Sequence, residues 1–185
     1  MSKIRSTLSV ALLALATSAL PAAADLYVGF GSGRASIDEH VAGSSDELNA
    51  DETTEQFFFG FELGRHGALE FGRTDFGVLE DTVTISGLPN QVMYTADGRT
   101  ISLLFRDEIS DDLSLFLRAG VVDWNRTIDI GGGAFIQHAS GQNGVFGLGA
   151  TYRATDHLTF RVEYTQYEIG DEDLMASSLA VTWGF

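Results

Sequence analysis

The sequence predicts an all-β fold, an eight-stranded antiparallel up-and-down barrel that crosses a membrane with its strands. Three observations carry this reading. Apolar residues recur at every second position through eight segments, the period of a strand whose two faces differ. The breaks between those segments alternate between short and long, so the two ends of the meander are unlike, as in spanning barrels. The chain also opens like an exported protein, yet no later run of about 20 apolar residues is present to cross a bilayer as a helix.

Residues 1–24 read as a signal peptide. Lys3 and Arg5 precede the apolar run "LSVALLALATSAL", and Ala22 and Ala24 supply the small residues of a cleavage site before Asp25. Residues 25–185 are then one barrel domain. Its first strand is "DLYVGFGSGRA", in which "GFGSG" lies inside a strand and not ahead of a helix, so it is no phosphate loop. The second sets Phe57, Phe59, Phe61 and Leu63 against Phe58, Gly60 and Glu62. The third sets Leu69 and Phe71 against Glu70 and Gly72, and the fourth Ile101, Leu103 and Phe105 against Ser102, Leu104 and Arg106. The fifth alternates Leu113, Leu115, Leu117, Ala119 and Val121 with Ser114, Phe116, Arg118 and Gly120. The sixth alternates Phe146, Leu148, Ala150 and Tyr152 with glycines and Thr151; the seventh, Leu158, Phe160, Val162 and Tyr164 with Thr159, Arg161 and Glu163. The eighth, "SSLAVTWGF", carries Leu179, Val181, Trp183 and Phe185 on one face up to its last residue.

The short breaks fall at Arg65–Gly67, Asp107–Asp112 and Arg153–Asp156. Longer polar loops are expected over Ser36–Glu55, Asp75–Asp97, Asp123–Asn143 and Glu168–Asp173.

A soluble barrel turns its apolar face inward and a membrane barrel turns it outward. The opposite face decides between them. It carries Glu62, Glu70 and Glu163 with Arg106, Arg118 and Arg161, three carboxylates against three guanidiniums. Enclosed charges cost several kcal/mol each unless matched, so equal numbers are what a lumen demands. The Phe- and Leu-rich face would be a large adhesive surface in water and is at home in lipid. The last strand must pair with the first, because a sheet edge in hydrocarbon has no water to bond. Its aromatic end belongs at the bilayer interface.

After residue 24 the chain holds nine arginines and no lysine against 26 acidic residues, a formal charge of −17. Nucleic acid is excluded as a partner, since no cationic surface remains for a phosphate backbone. There is no cysteine, hence neither disulfide nor thiolate metal site, and neither a metal nor a cofactor is expected.

"ISDDLSLFLRAGVVDWNR" and "FRVEYTQYEIG" resemble strands of the OmpA-like outer-membrane β-barrel family, as does "LYVGFGSG" at the start. "AVTWGF" resembles the aromatic-ended closing strand of outer-membrane barrels generally. The resemblance covers 25–185 and implies the bacterial outer membrane, with lipopolysaccharide and other outer-membrane lipid as surroundings. It also implies a monomer, and insertion by the barrel-assembly machinery through Leu179, Val181, Trp183 and Phe185. That family blocks its lumen with a Glu–Arg ion pair, which falls here on Glu70 and Arg161; the lysine it uses as a second partner is not reproduced, Leu104 standing nearest. The peptidoglycan-binding domain of larger members is expected to be absent.

The favoured function is therefore structural, membrane integrity and surface presentation with a largely plugged lumen. The lumen of eight strands is just wide enough for side chains, with Tyr27, Phe58 and Phe116 among them. A low-conductance ion channel is the alternative, and a lipid A-modifying enzyme the third. For catalysis, His138 stands two residues from Ser140, but that spacing establishes neither hydrogen-bond reach nor an orienting acid, and no G-x-S-x-G elbow or H-E-x-x-H occurs. His66 and His157 fall in short turns, and His40 in the first long break. The acidic run Ile37–Glu55 reads as a solvated loop, without the spacing of a calcium loop.

Overall fold

The computed structural model describes residues 25–40, 47–85, 88–133, 135–170 and 172–185; the side chains of 37–40, 47–51, 81, 83–85 and 88 are not described. The expected signal peptide, with Ala22 and Ala24, lies outside these residues. So do the side chains of His40 and of most of the acidic run.

Eight strands follow one another: β1 (Leu26–His40), β2 (Glu47–Glu62), β3 (Gly67–Ile85), β4 (Leu88–Glu108), β5 (Leu113–Ile130), β6 (Phe135–Arg153), β7 (Leu158–Ile169) and β8 (Glu172–Gly184). Each pairs antiparallel with the next, and β8 closes on β1 from Tyr27↔Gly184 to Ile37↔Leu174. The final residue is held too, its N–H donating to the Leu26 carbonyl at 2.9 Å. At one end the connections are tight turns at 63–66, 109–112 and 154–157.

A bilayer needs about 9–11 residues per tilted strand. β3 to β6 contain 19, 21, 18 and 19. The surplus projects beyond the membrane at the end away from the tight turns, and there the two faces exchange character. In the membrane half the outward side chains are apolar and exposed, among them Phe30, Phe59, Phe105, Leu117, Leu148 and Val181. In the projecting half the inward ones are apolar and buried: Phe76, Leu79, Tyr94, Val122, Trp124, Tyr167, Ile169 and Leu174 form one cluster. Along β5 the outward residues change from Leu115 and Leu117 to Asp123 and Asn125, while the inward ones change from Arg118 to Val122 and Trp124. Lipid below and water above impose opposite rules on one continuous strand.

This corrects the loop expectation. Residues 75–85, 88–97, 123–130 and 135–143 lie in strands, and between β5 and β6 the described turn residues Gly131, Gly132 and Gly133 take φ of 71°, 64° and 94°. Ser36–Glu55 likewise lies mostly in β1 and β2, and Glu168–Asp173 mostly in β7 and β8. These stretches look like loops because their outward positions are polar.

Pairing of β2 with β3 extends outward only to Glu55↔Asp75, and that of β6 with β7 only to Val145↔Tyr167. Above those points β3–β6 and β7–β8–β1–β2 face each other as two sheets over the apolar cluster. A bulge at Asp75/Val78 lets β3 keep Phe76 and Leu79 both inward. Gly77 makes it possible with φ 74° and an N–H to Asp75 Oδ1 at 3.0 Å.

The orientation can be tested by charge. Leu117, 61% exposed on the lipid face, is expected to lose about 2–4 kcal/mol on replacement by Arg, the cost of a cation near the bilayer midplane. Asp123→Arg, above the apolar belt, should change stability by about 0–1 kcal/mol. Urea unfolding in lipid vesicles compares the two.

Candidate functional site

The lumen of the membrane half is the site. Rings from three strands cross it: Tyr27, Phe58 and Phe116 are 6%, 3% and 3% exposed. They lie over glycines because no other residue leaves room. A Cβ at Gly29 would stand 2.3 Å from Phe58, and one at Gly149 would stand 2.5 Å from Phe116 and 2.4 Å from the Val162 carbonyl. Gly149→Val should therefore expel the Phe116 ring or part β6 from β7, at about 1–3 kcal/mol; the urea midpoint reads the loss.

Between the rings lies a closed set of charges. Glu70 on β3 is fully buried and accepts three hydrogen bonds, from Arg161 Nη2, Arg118 Nη2 and the Tyr27 hydroxyl, each at 2.6 Å. Arg118 also donates from Nε and Nη2 to Glu163 at 2.5 and 3.1 Å, and Thr165 donates to Glu163 at 2.9 Å. Arg161 Nη1 stands 3.9 Å from Glu163. The Arg161 guanidinium sits 4.6 Å from the Phe58 ring centre and 5.0 Å from that of Phe116. Its Nε and Nη1 make no hydrogen bond, so the ring faces are their main company. Two carboxylates and two guanidiniums thus neutralise one another in a buried space, where any single charge would be costly.

Arg106 and Glu62 form a separate pair at 3.0 Å, nearer the tight turns and partly hydrated. They border a vestibule of about 540 Å³ that reaches Arg153, His157 and Arg161 at the turn end of the barrel. Above the charged set, the apolar cluster fills the lumen again. Phe76 meets Tyr167 edge-on with ring centres 4.9 Å apart. Trp124 donates to Asn143 Oδ1 at 2.8 Å. Arg126 is ion-paired with Glu172 beside them. Burial alone would lower the Arg126 guanidinium, but the Glu172 carboxylate raises it above its ordinary value and keeps the pair charged.

The six lumen residues singled out from the sequence all face inward, in the two groups just described. Three features escaped the sequence. Arg118 is a second partner of Glu70, reaching it from β5 and not from β4, where Leu104 stands in place of the family's lysine. Tyr27 caps the same carboxylate. The upper apolar plug was hidden in presumed loops, although Val122, Trp124 and Ile128 continue the inward parity of Arg118. On the closing strand, Leu179, Val181, Trp183 and Phe185 are outward and exposed, and Trp183 stacks on His157 with ring centres 5.4 Å apart. His138 and Ser140 form no pair: the His138 ring nitrogen Nδ1 lies 2.9 Å from Thr127 Oγ1, its cross-strand neighbour.

A closed eight-stranded barrel, apolar outside and ion-paired inside over its membrane half, defines an outer-membrane-type β-barrel protein. Residues 21–180 match the family model of the OmpA-like transmembrane domain, and the chain belongs to that family. Its fold is shared by Neisserial surface protein A at 13% identity and a TM-score of 0.59, covering 86% of this chain and 97% of that one. The N-terminal barrel of Pseudomonas aeruginosa OprF is similar at 14% identity and 0.58, with the same coverage of 86% and 97%. Ail of Yersinia pestis is similar at 14% and 0.53, covering 88% and 97%. No curated protein matches the chain by sequence.

Proposed function

We propose that the protein is a closed-lumen structural barrel of the bacterial outer membrane that carries a rigid β-extension above the surface. One observation supports this most: the lumen is obstructed twice in series, first by the Glu70–Arg118–Glu163–Arg161 lattice and then by the apolar cluster around Phe76, Val122 and Trp124. An ion would have to break matched charges and then cross a dry core. The family's Glu–Arg block is here a static plug, in which Glu70 is bound by two guanidiniums at once.

In this reading the chain is exported by its signal peptide and inserted through its aromatic closing strand by the barrel-assembly machinery. It then stands as a monomer among lipopolysaccharide. Planar-bilayer recording tests the plug. The folded protein should give no stable conductance steps, and Glu70→Gln should give none either, because the upper core is untouched. Unitary steps in either would overturn the closed-lumen reading in favour of a channel. Insertion is tested by outer-membrane fractionation together with a heat-dependent shift on gels.

A further inference from the structure

Six of the nine arginines beyond residue 24 have a carboxylate within 4.0 Å: Arg65, Arg106, Arg118, Arg126, Arg153 and Arg161. The three others, Arg34, Arg73 and Arg99, make no ion pair among the described residues, and all three are exposed on the outward face. Their placement is not scattered. Counted along their strands from the tight-turn end, they stand roughly 6–9 residues up. A tilted strand climbs about 2.5 Å per residue, which places them about 15–23 Å up an apolar belt of about 25 Å. Arg73 is the first outward residue beyond Phe71, and Arg99 the first beyond Ile101.

Arg73 and Arg99 are also direct cross-strand partners, between the Phe71↔Ile101 and Asp75↔Asp97 pairs. Side chains so placed are about 5 Å apart at Cβ, and like charges there repel. The pair stands in the upper part of the apolar belt, from where long arginine side chains reach toward the headgroup level, and a guanidinium's fork of donors matches a phosphate's oxygens. The geometry points to Arg73 and Arg99 as a binding site for the phosphorylated headgroup of an outer-leaflet glycolipid, a site that rests on the membrane orientation proposed above. The acyl chains of such a lipid lie along the outward belt of exposed Phe57 and half-buried Phe71 and Ile101, and its phosphate then bridges the two arginines. Glu55, Asp75, Asp97 and Asp123 stand around or just above the pair. They repel a free anion arriving from water, whereas a phosphate tethered by its tails reaches the arginines from below. The site therefore selects a lipid over inorganic phosphate.

Native mass spectrometry tests this on the folded protein, released from micelles holding equal amounts of diphosphorylated lipid A and its dephosphorylated form. Wild type should retain the phosphorylated lipid by about tenfold over the other, the scale of charge-assisted bonds to one phosphate. R73Q/R99Q should bring the two within about twofold, with R73K/R99K intermediate because lysine keeps charge without the fork. Millimolar inorganic phosphate should displace neither lipid. Equal retention by the wild type, full preference in R73Q/R99Q, or displacement by inorganic phosphate would each overturn the site. A heat-dependent gel shift on every variant separates this from the barrel reading. Proteins that shift but show no preference lose only the site, whereas a wild type that inserts into no lipid loses the orientation as well.

Discussion

Replacing Glu70 by Ala is expected to remove about 3–5 kcal/mol of stability, the cost of leaving a buried charge without its partner. Arg118 and Arg161 both aim at this carboxylate, and their side chains are 6% and 2% exposed. Without it, two buried cations share the single carboxylate of Glu163. Glu70→Gln should recover little, since it restores the shape and one acceptor but no charge. The double variant Glu70→Gln with Arg161→Met is the decisive arm, because it leaves Arg118 and Glu163 as a balanced pair. It should regain at least about half of the loss. Urea unfolding in vesicles, followed by the gel shift, measures all three. A Glu70→Ala protein within about 1 kcal/mol of wild type would show that the lattice is not held by charge balance.

Phe76→Ala should be as costly in total, about 3–5 kcal/mol for a fully buried aromatic ring, yet different in kind. Phe76 is 0% exposed in the projecting half and packs on Tyr167 across the gap between the two sheets. Its loss loosens the β3–β6 sheet from β7–β8–β1–β2 above the bilayer and leaves the membrane half intact. Insertion and the gel shift should be retained, while protease added from the outside should cut the projecting strands faster. A variant that instead fails to insert would mean that the upper core is required for closure of the membrane half.

The two variants separate what was legible in the sequence from what was not. Period-two alternation exposed every membrane strand and both of its faces, because lipid demands a continuous apolar exterior and Leu113 to Val121 or Leu158 to Tyr164 cannot satisfy it otherwise. The equal numbers of lumen Glu and Arg were readable for the same kind of reason: charge enclosed in low dielectric must cancel. The projecting half was misread as loops. Asp123, Asn125 and Thr127 face water there and dominate the local polarity, while Val122, Trp124 and Ile128 between them are too few to announce a strand.

The sequence alone determined the fold class, the orientation of each membrane strand and the identity of the six lumen charges, since these follow from spacing and from the solvent on each face. Only the tertiary structure decided which charges meet. Arg118 and Glu70 are 48 positions apart and on different strands, and Arg161 and Glu70 are 91 apart. Their distances depend on the stagger of the closed barrel, a property of all eight strands together that no single segment encodes.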